Sequence, residues 1–140
     1  LLKHMLPDKP IRNTFSAAEK LKSRKVLELL FEEGKAFSAY PIRLVYLEQP
    51  FDYQAPVKIA TSAPKRKMKH AHDRNRTKRL LREAYRKHKH QLIAYCLSAE
   101  KSFALLFISQ CNTPPEYSVV EEKLILLLKR LTPDDKKGAE

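Results

Sequence analysis

Lysine and arginine in dense array do one kind of chemistry well, since point charges and planar guanidinium forks hold phosphate oxygens. From Pro64 to Lys89 the chain reads PKRKMKHAHDRNRTKRLLREAYRKHK, twelve such cations against two acids, Asp73 and Glu83. The whole chain carries +12, so nearly all of its excess charge lies in this one stretch. A charge so local implies a local, polyanionic partner. Wound as an α-helix, Asp73 to Lys89 sorts into two sides. Thr77, Leu80, Leu81, Ala84, Tyr85 and His88 fall within an arc of roughly 140°, enough to dock on a core. Asn75, Arg76, Lys78, Arg79, Arg82, Arg86 and Lys87 fill most of the other side, with Glu83 among them. Along the helix Arg74, Lys78, Arg82 and Arg86 stand four apart, a mutual repulsion of ~0.2 to 0.5 kcal/mol per pair that a bound polyanion would relieve. Asn75 can both donate and accept, so it suits a phosphate, a ribose hydroxyl or a base edge.

Other residue types offer less. A protein nuclease acting alone needs clustered carboxylates to hold metal ions, and the acids here are scattered or lie on helix faces and tails. His70-x-His72 and His88-x-His90 have the wrong spacing for zinc on a helix, where ligands four apart share a side; protonation beside RNA suits them better. Ser62-x-x-Lys65 matches the nucleophile motif of serine acyl-transfer enzymes without its companion motifs. It reads as a strand end followed by a phosphate-facing lysine. Cys96 and Cys111 form no C-x-x-C and are expected to be free thiols in a reducing compartment.

The elements that must position the basic helix follow from period and punctuation. Ser16-Ala17-Ala18-Glu19 fits a capping box. Ser23 then caps a first helix in which Val26, Leu27, Leu30 and Phe31 share one side, and Gly34 is expected to supply a left-handed stop. Ala36 to Ala39 reads as a short strand before Pro41. In the next strand Ile42, Leu44 and Tyr46 alternate with Arg43, Val45 and Leu47. Gln49 to Pro56 is a loop, and Val57 to Ser62 a strand that Pro64 ends. The basic helix is expected from about residue 69 to 92, with a return loop from Cys96 to Lys101. Phe103 to Ile108 is so continuously apolar that it suits a strand covered on both faces. Ser118-x-x-Glu121 reads as a second capping box, opening a helix with the stripe Val120, Leu124, Leu127, Leu128 and Leu131, stopped by Pro133.

The order is therefore α-β-β-β-α-β-α, an α+β sandwich of a sheet with packed helices. At 140 residues and 43% hydrophobic content the chain is a single domain's worth. The expected layout is a flexible N-terminal segment at 1–13, one RNA-binding domain at 14–132 and a disordered tail at 133–140. Its longest apolar runs are too short to span a bilayer, and Lys3, His4, Pro7 and Asp8 interrupt the first ten residues where a signal peptide would be continuously apolar. The expected location is the cytoplasm.

Arg74-Asn75-Arg76-Thr77-Lys78-Arg79-Leu80-Leu81-Arg82-Glu83, following a strand that ends in Ser62-Ala63-Pro64-Lys65-Arg66, resembles the RNR helix of the protein subunit of bacterial ribonuclease P. Phe15 with Glu19-Lys20-Leu21, Leu30-Phe31 with Gly34, and Tyr40 to Glu48 are similar to the same family, so that the likeness covers about residues 14 to 131. Where relatives often carry glycine, this chain has Lys58-Ile59-Ala60 and Met68-Lys69-His70. The resemblance implies a four-stranded mixed sheet with a left-handed βαβ crossover, like the second domain of ribosomal protein S5. It implies an endoribonuclease complex that matures the 5′ end of tRNA, with the catalytic groups in the RNA and none in the protein. The partners would be the catalytic ribonuclease P RNA and precursor tRNA, with no membrane and no obligate protein partner. No cofactor is expected in the protein, and magnesium would enter through the RNA. Lys65, Arg66, Arg74, Asn75, Arg76, Lys78, Arg79, Arg82 and Arg86 would face RNA. Phe31, Tyr46 and Leu27 would line the cleft between first helix and sheet where the 5′ leader passes. Two rival readings remain: a structural RNA-binding protein of ribosomal type, and a DNA-binding basic helix of the leucine-zipper kind, which the lack of sustained heptads disfavours.

Overall fold

The two-residue alternation of Ile42 to Leu47 and the unbroken apolar run of Phe103 to Ile108 demand a sheet with a core on each face, and that is what forms. The computed structural model describes residues 15–132; the expected loose segment at 1–13 and tail at 133–140 lie outside the described residues. The elements are α1 (Arg24–Glu33), β1 (Lys35–Ala39), β2 (Ile42–Gln49), β3 (Val57–Ser62), α2 (Ala71–His88), α3 (His90–Ala99), β4 (Ser102–Ser109) and α4 (Tyr117–Leu131). The sheet runs β1-β2-β4-β3. β2 is antiparallel to both β1 and β4, while β3 lies parallel to β4, which makes the sheet mixed.

Ile42 and Leu44 of β2 meet Phe103, Leu105 and Phe107 of β4, with α2, α3 and α4 closing over them. On the reverse face Val45, Ala104 and Leu106 make a smaller cluster with Leu21 and with Leu30 of α1. Each of the fully covered Leu and Phe side chains contributes ~1.5 to 3 kcal/mol relative to exposure, and the sheet is held from both sides.

The local signals resolve unevenly. Ser23 caps α1, its hydroxyl accepting from the Val26 N–H at 3.2 Å. The Ser16 backbone N–H donates to Glu19 Oε1 at 2.8 Å, closing a single 3-10 turn over Ala17–Glu19. Gly34 is not the left-handed stop expected: its φ of −69° and ψ of 153° are open to any residue. It is required for a different reason, since a Cβ there would lie 2.4 Å from the Leu30 carbonyl oxygen and 2.8 Å from a Val45 methyl. The second capping box does not form either. The helix begins at Tyr117 behind Glu116, with no side-chain cap, and the Glu121 carboxylate turns instead to His88 Nε2 at 2.7 Å.

The largest correction is to the basic helix, which is two helices interrupted at Lys89, so that the order gains an α: α-β-β-β-α-α-β-α. The ammonium of Lys89 is buried and pairs with Glu19 Oε2 at 2.6 Å, tying the junction to the N-terminal turn. Leu92, Ile93 and Cys96 then give α3 its own buried side, and it continues through the residues expected as a return loop. Glu100 ends it in the left-handed conformation, φ 57°, with the Lys101 N–H returning to the Cys96 carbonyl at 3.0 Å. Burial pushes the Cys96 thiol up to about 12, which leaves it an inert packing group; Cys111 is half-buried, and both are free.

Candidate nucleic-acid interface

α2 buries Thr77, Leu81, Ala84 and Tyr85, four of the six residues expected to fold it, with Leu80 and His88 half-buried beside them. The lead-in is fixed locally. Two N–H groups, of Lys67 and Met68, donate to the Pro64 carbonyl at 3.1 Å. Met68 is buried, and the Thr77 hydroxyl packs on its sulfur at 3.4 Å while donating to the Asp73 carbonyl at 2.9 Å. At this place the chain uses a buried methionine to pin the turn against the helix.

The cations of α2 divide into two rows. Asn75, Arg76 and Arg79 are exposed, as are Lys65 and Arg66 in the turn before the helix. The row Arg74, Lys78, Arg82 and Arg86 is half-buried, and three of its guanidiniums have protein partners. Arg74 Nη1 donates to the carbonyls of Met68 and Lys69 at 2.9 and 2.7 Å, bracing the lead-in. Arg82 donates to the Thr61 hydroxyl at 3.3 Å. Arg86 forks onto Glu83, which lowers the Glu83 carboxyl below its ordinary value. These contacts offset the like-charge spacing of that row, so Arg74 and Arg86 serve the fold before any ligand. Arg76, Arg79, Lys65 and Arg66 stand exposed, as do Lys67 and Lys69.

On the reverse face of the sheet lies a cleft of about 430 Å³ lined by Leu30, Phe31, Arg43, Val45, Arg66 and Lys67, among others. Phe31 is 71% exposed there, an apolar ring standing in water beside three cations. Tyr46 does not join it. By the alternation of β2 it points with Leu44 to the opposite face, stacked on Phe37 at 5.1 Å and edge-on to Phe103 at 6.2 Å; its grouping with Phe31 is corrected. Leu27 is half-buried in the smaller core cluster rather than lining the cleft. Arg43 and Lys67, which sequence reasoning left out of the cleft, belong to it. Arg43 had a signal, because it alternates with Tyr46 and therefore shares a face with Val45 and α1.

His72 contacts Asp73 at 3.2 Å, and His88 is held by Glu121. Among the described residues no three His, Cys, Asp or Glu side chains gather as a metal cage would require. Among them, too, no helix is long and apolar enough to cross a membrane.

A cationic helix docked on one face of a mixed four-stranded sheet, with an aromatic and cationic cleft on the other, defines a small α+β protein suited to hold a polyanion. The ribonuclease P family matches residues 15–132. A ribonuclease P protein component from Porphyromonas gingivalis is 34% identical over 116 residues, covering 83% of this chain and 85% of its own. One from Chlorobium phaeobacteroides is 26% identical over 129 residues, covering 85% and 88%. The solved RNase P protein from Thermotoga maritima superposes with a TM-score of 0.64 at 26% identity, covering 80% of this chain and 96% of that one. The Staphylococcus aureus RNase P protein, at 14% identity and a TM-score of 0.61, agrees in fold. The chain belongs to the ribonuclease P protein family, whose members are components of a tRNA-processing enzyme that also has an RNA partner.

Proposed function

We propose that this subunit grips two different RNAs on two faces of one sheet: catalytic RNA on the outer side of α2, and the unpaired 5′ leader of precursor tRNA in the Phe31 cleft. The observation that carries this reading is the turn from Pro64 to Lys67, which places Arg66 and Lys67 at the cleft and leads directly into the helix that presents Arg76 and Arg79. Phosphate contacts supply most of the affinity, while an exposed aromatic ring stacks on any unpaired base. The RNA would hold the magnesium ions and carry out hydrolysis. The protein's part is to neutralise backbone charge and to orient leader and substrate, in the cytoplasm where tRNA precursors are made.

Reconstitution tests it. Adding the pure protein to a bacterial ribonuclease P RNA at low magnesium should raise precursor tRNA cleavage, and protein free of RNA should cut nothing. If about six phosphates are engaged, the log-log salt slope of binding should be several units, at ~0.7 to 0.9 per phosphate. RNA binding without any gain in cleavage would favour the structural, ribosomal-type alternative.

A further inference from the structure

Strand β3 is an edge of the sheet, and the chain before α1 lies along it. Lys20 bridges Ile59 in parallel, and the Leu21 N–H donates to the Ile59 carbonyl at 2.8 Å. Between this strap and α2 opens a groove of about 350 Å³. Lys20, Lys22 and Arg82 line it with Thr61 and Phe15, and no acid is among its lining residues. The nearest acid in the strap, Glu19, is turned inward onto Lys89. Lys20 and Lys22 are exposed, and Arg82 is oriented by its bond to the Thr61 hydroxyl.

We propose that this groove is a further phosphate-binding subsite, which carries the RNA path from α2 around the β3 edge, away from the Phe31 cleft. It rests on the reading of α2 as an RNA-binding face and extends it to Lys20 and Lys22. Three cations converging on one concavity, with a hydroxyl between them, fit the successive phosphates of a nucleic-acid backbone. Arg82 belongs to both surfaces and makes them continuous. The strap is held mainly by main-chain bonds and by the Glu19–Lys89 pair, with Lys20 also lying over the Phe15 ring at 5.9 Å, so changing the two lysines should loosen it little.

The test uses the full chain and a bacterial ribonuclease P RNA, with binding measured over a range of salt. The double variant Lys20→Gln/Lys22→Gln should melt like the parent while its log-log salt slope falls by roughly 1.5 units, two contacts at ~0.7 to 0.9 each. Lys20→Arg/Lys22→Arg should keep the parental slope. Arg76→Gln/Arg79→Gln serves as the comparator on α2. If that pair lowers the slope and the lysine pair leaves it unchanged, the groove is solvated surface and the subsite is wrong while the α2 reading stands. If neither pair lowers it, both readings fall together.

Discussion

Replacing Phe31 with Ala separates stability from recognition more cleanly than any other single change in this molecule. The ring is 71% exposed, so less than a third of the ~1.5 to 3 kcal/mol available from burying a phenylalanine is at stake, below ~1 kcal/mol. Stacking on one unpaired base is worth ~1 to 3 kcal/mol, or roughly 5- to 150-fold in affinity at 1.4 kcal/mol per tenfold. The loss should fall on precursor tRNA alone, because mature tRNA has no leader to place in the cleft. The assay is competitive binding of precursor and mature tRNA to the complex reconstituted with a bacterial ribonuclease P RNA, beside a thermal melt of the free protein. Phe31→Trp should retain the preference for precursor. Equal losses for the two substrates, with the melt unchanged, would refute the leader assignment, and a large fall in melting temperature would refute the energetic reasoning.

Tyr46→Ala should behave in the opposite way: its contacts with Phe37 and Phe103 contribute ~0.5 to 1.5 kcal/mol each beyond area burial, so the melt should fall with no discrimination between precursor and mature tRNA. Gly34→Ala drives a Cβ against the Leu30 carbonyl oxygen, and chemical denaturation should register an overpacking cost of ~1 to 3 kcal/mol. The His88 hydrogen bond holds the Glu121 carboxyl below its ordinary value of 4.5. Its folded pKa is thus depressed, and the associated stabilisation is complete above 4.5 and lost as pH falls through the lowered value. The stability gap between the parent and Glu121→Gln, followed by denaturation across pH, should therefore be open near neutrality and close in acid.

Periodicity made most of the fold legible. The alternation of β2 and the double-sided apolar run of β4 specify a sheet with two cores, and the stripe from Val120 to Leu131 specifies α4. What escaped were places where tertiary contacts outbid local signals. Glu121 had the spacing of a capping box, yet His88, far away in sequence, took its carboxylate. Lys89 read as one more member of the charged stretch, while the folded chain buries it. The position of Gly34 was legible but the reason for it was not, since a close approach between α1 and β2 leaves no mark in a single strand of text. In the candidate site, the exposed row at Arg76 and Arg79 followed from helical spacing. Tyr46 was drawn to Phe31 by resemblance, although its own two-residue period already placed it on the other side.

The ion pair between Lys89 and Glu19 constrains how this sequence can vary. The partners lie 70 residues apart, and both are nearly sealed from water. A buried pair stripped of one charge leaves the other uncompensated, whereas replacing both by apolar groups of similar size is often tolerated. Loss of the Lys89 charge would leave the Glu19 carboxylate uncompensated, so drift at Lys89 is costly. A library that randomised the basic stretch one codon at a time in search of better RNA affinity would find Lys89 immovable, although it stands within the stretch and carries its charge.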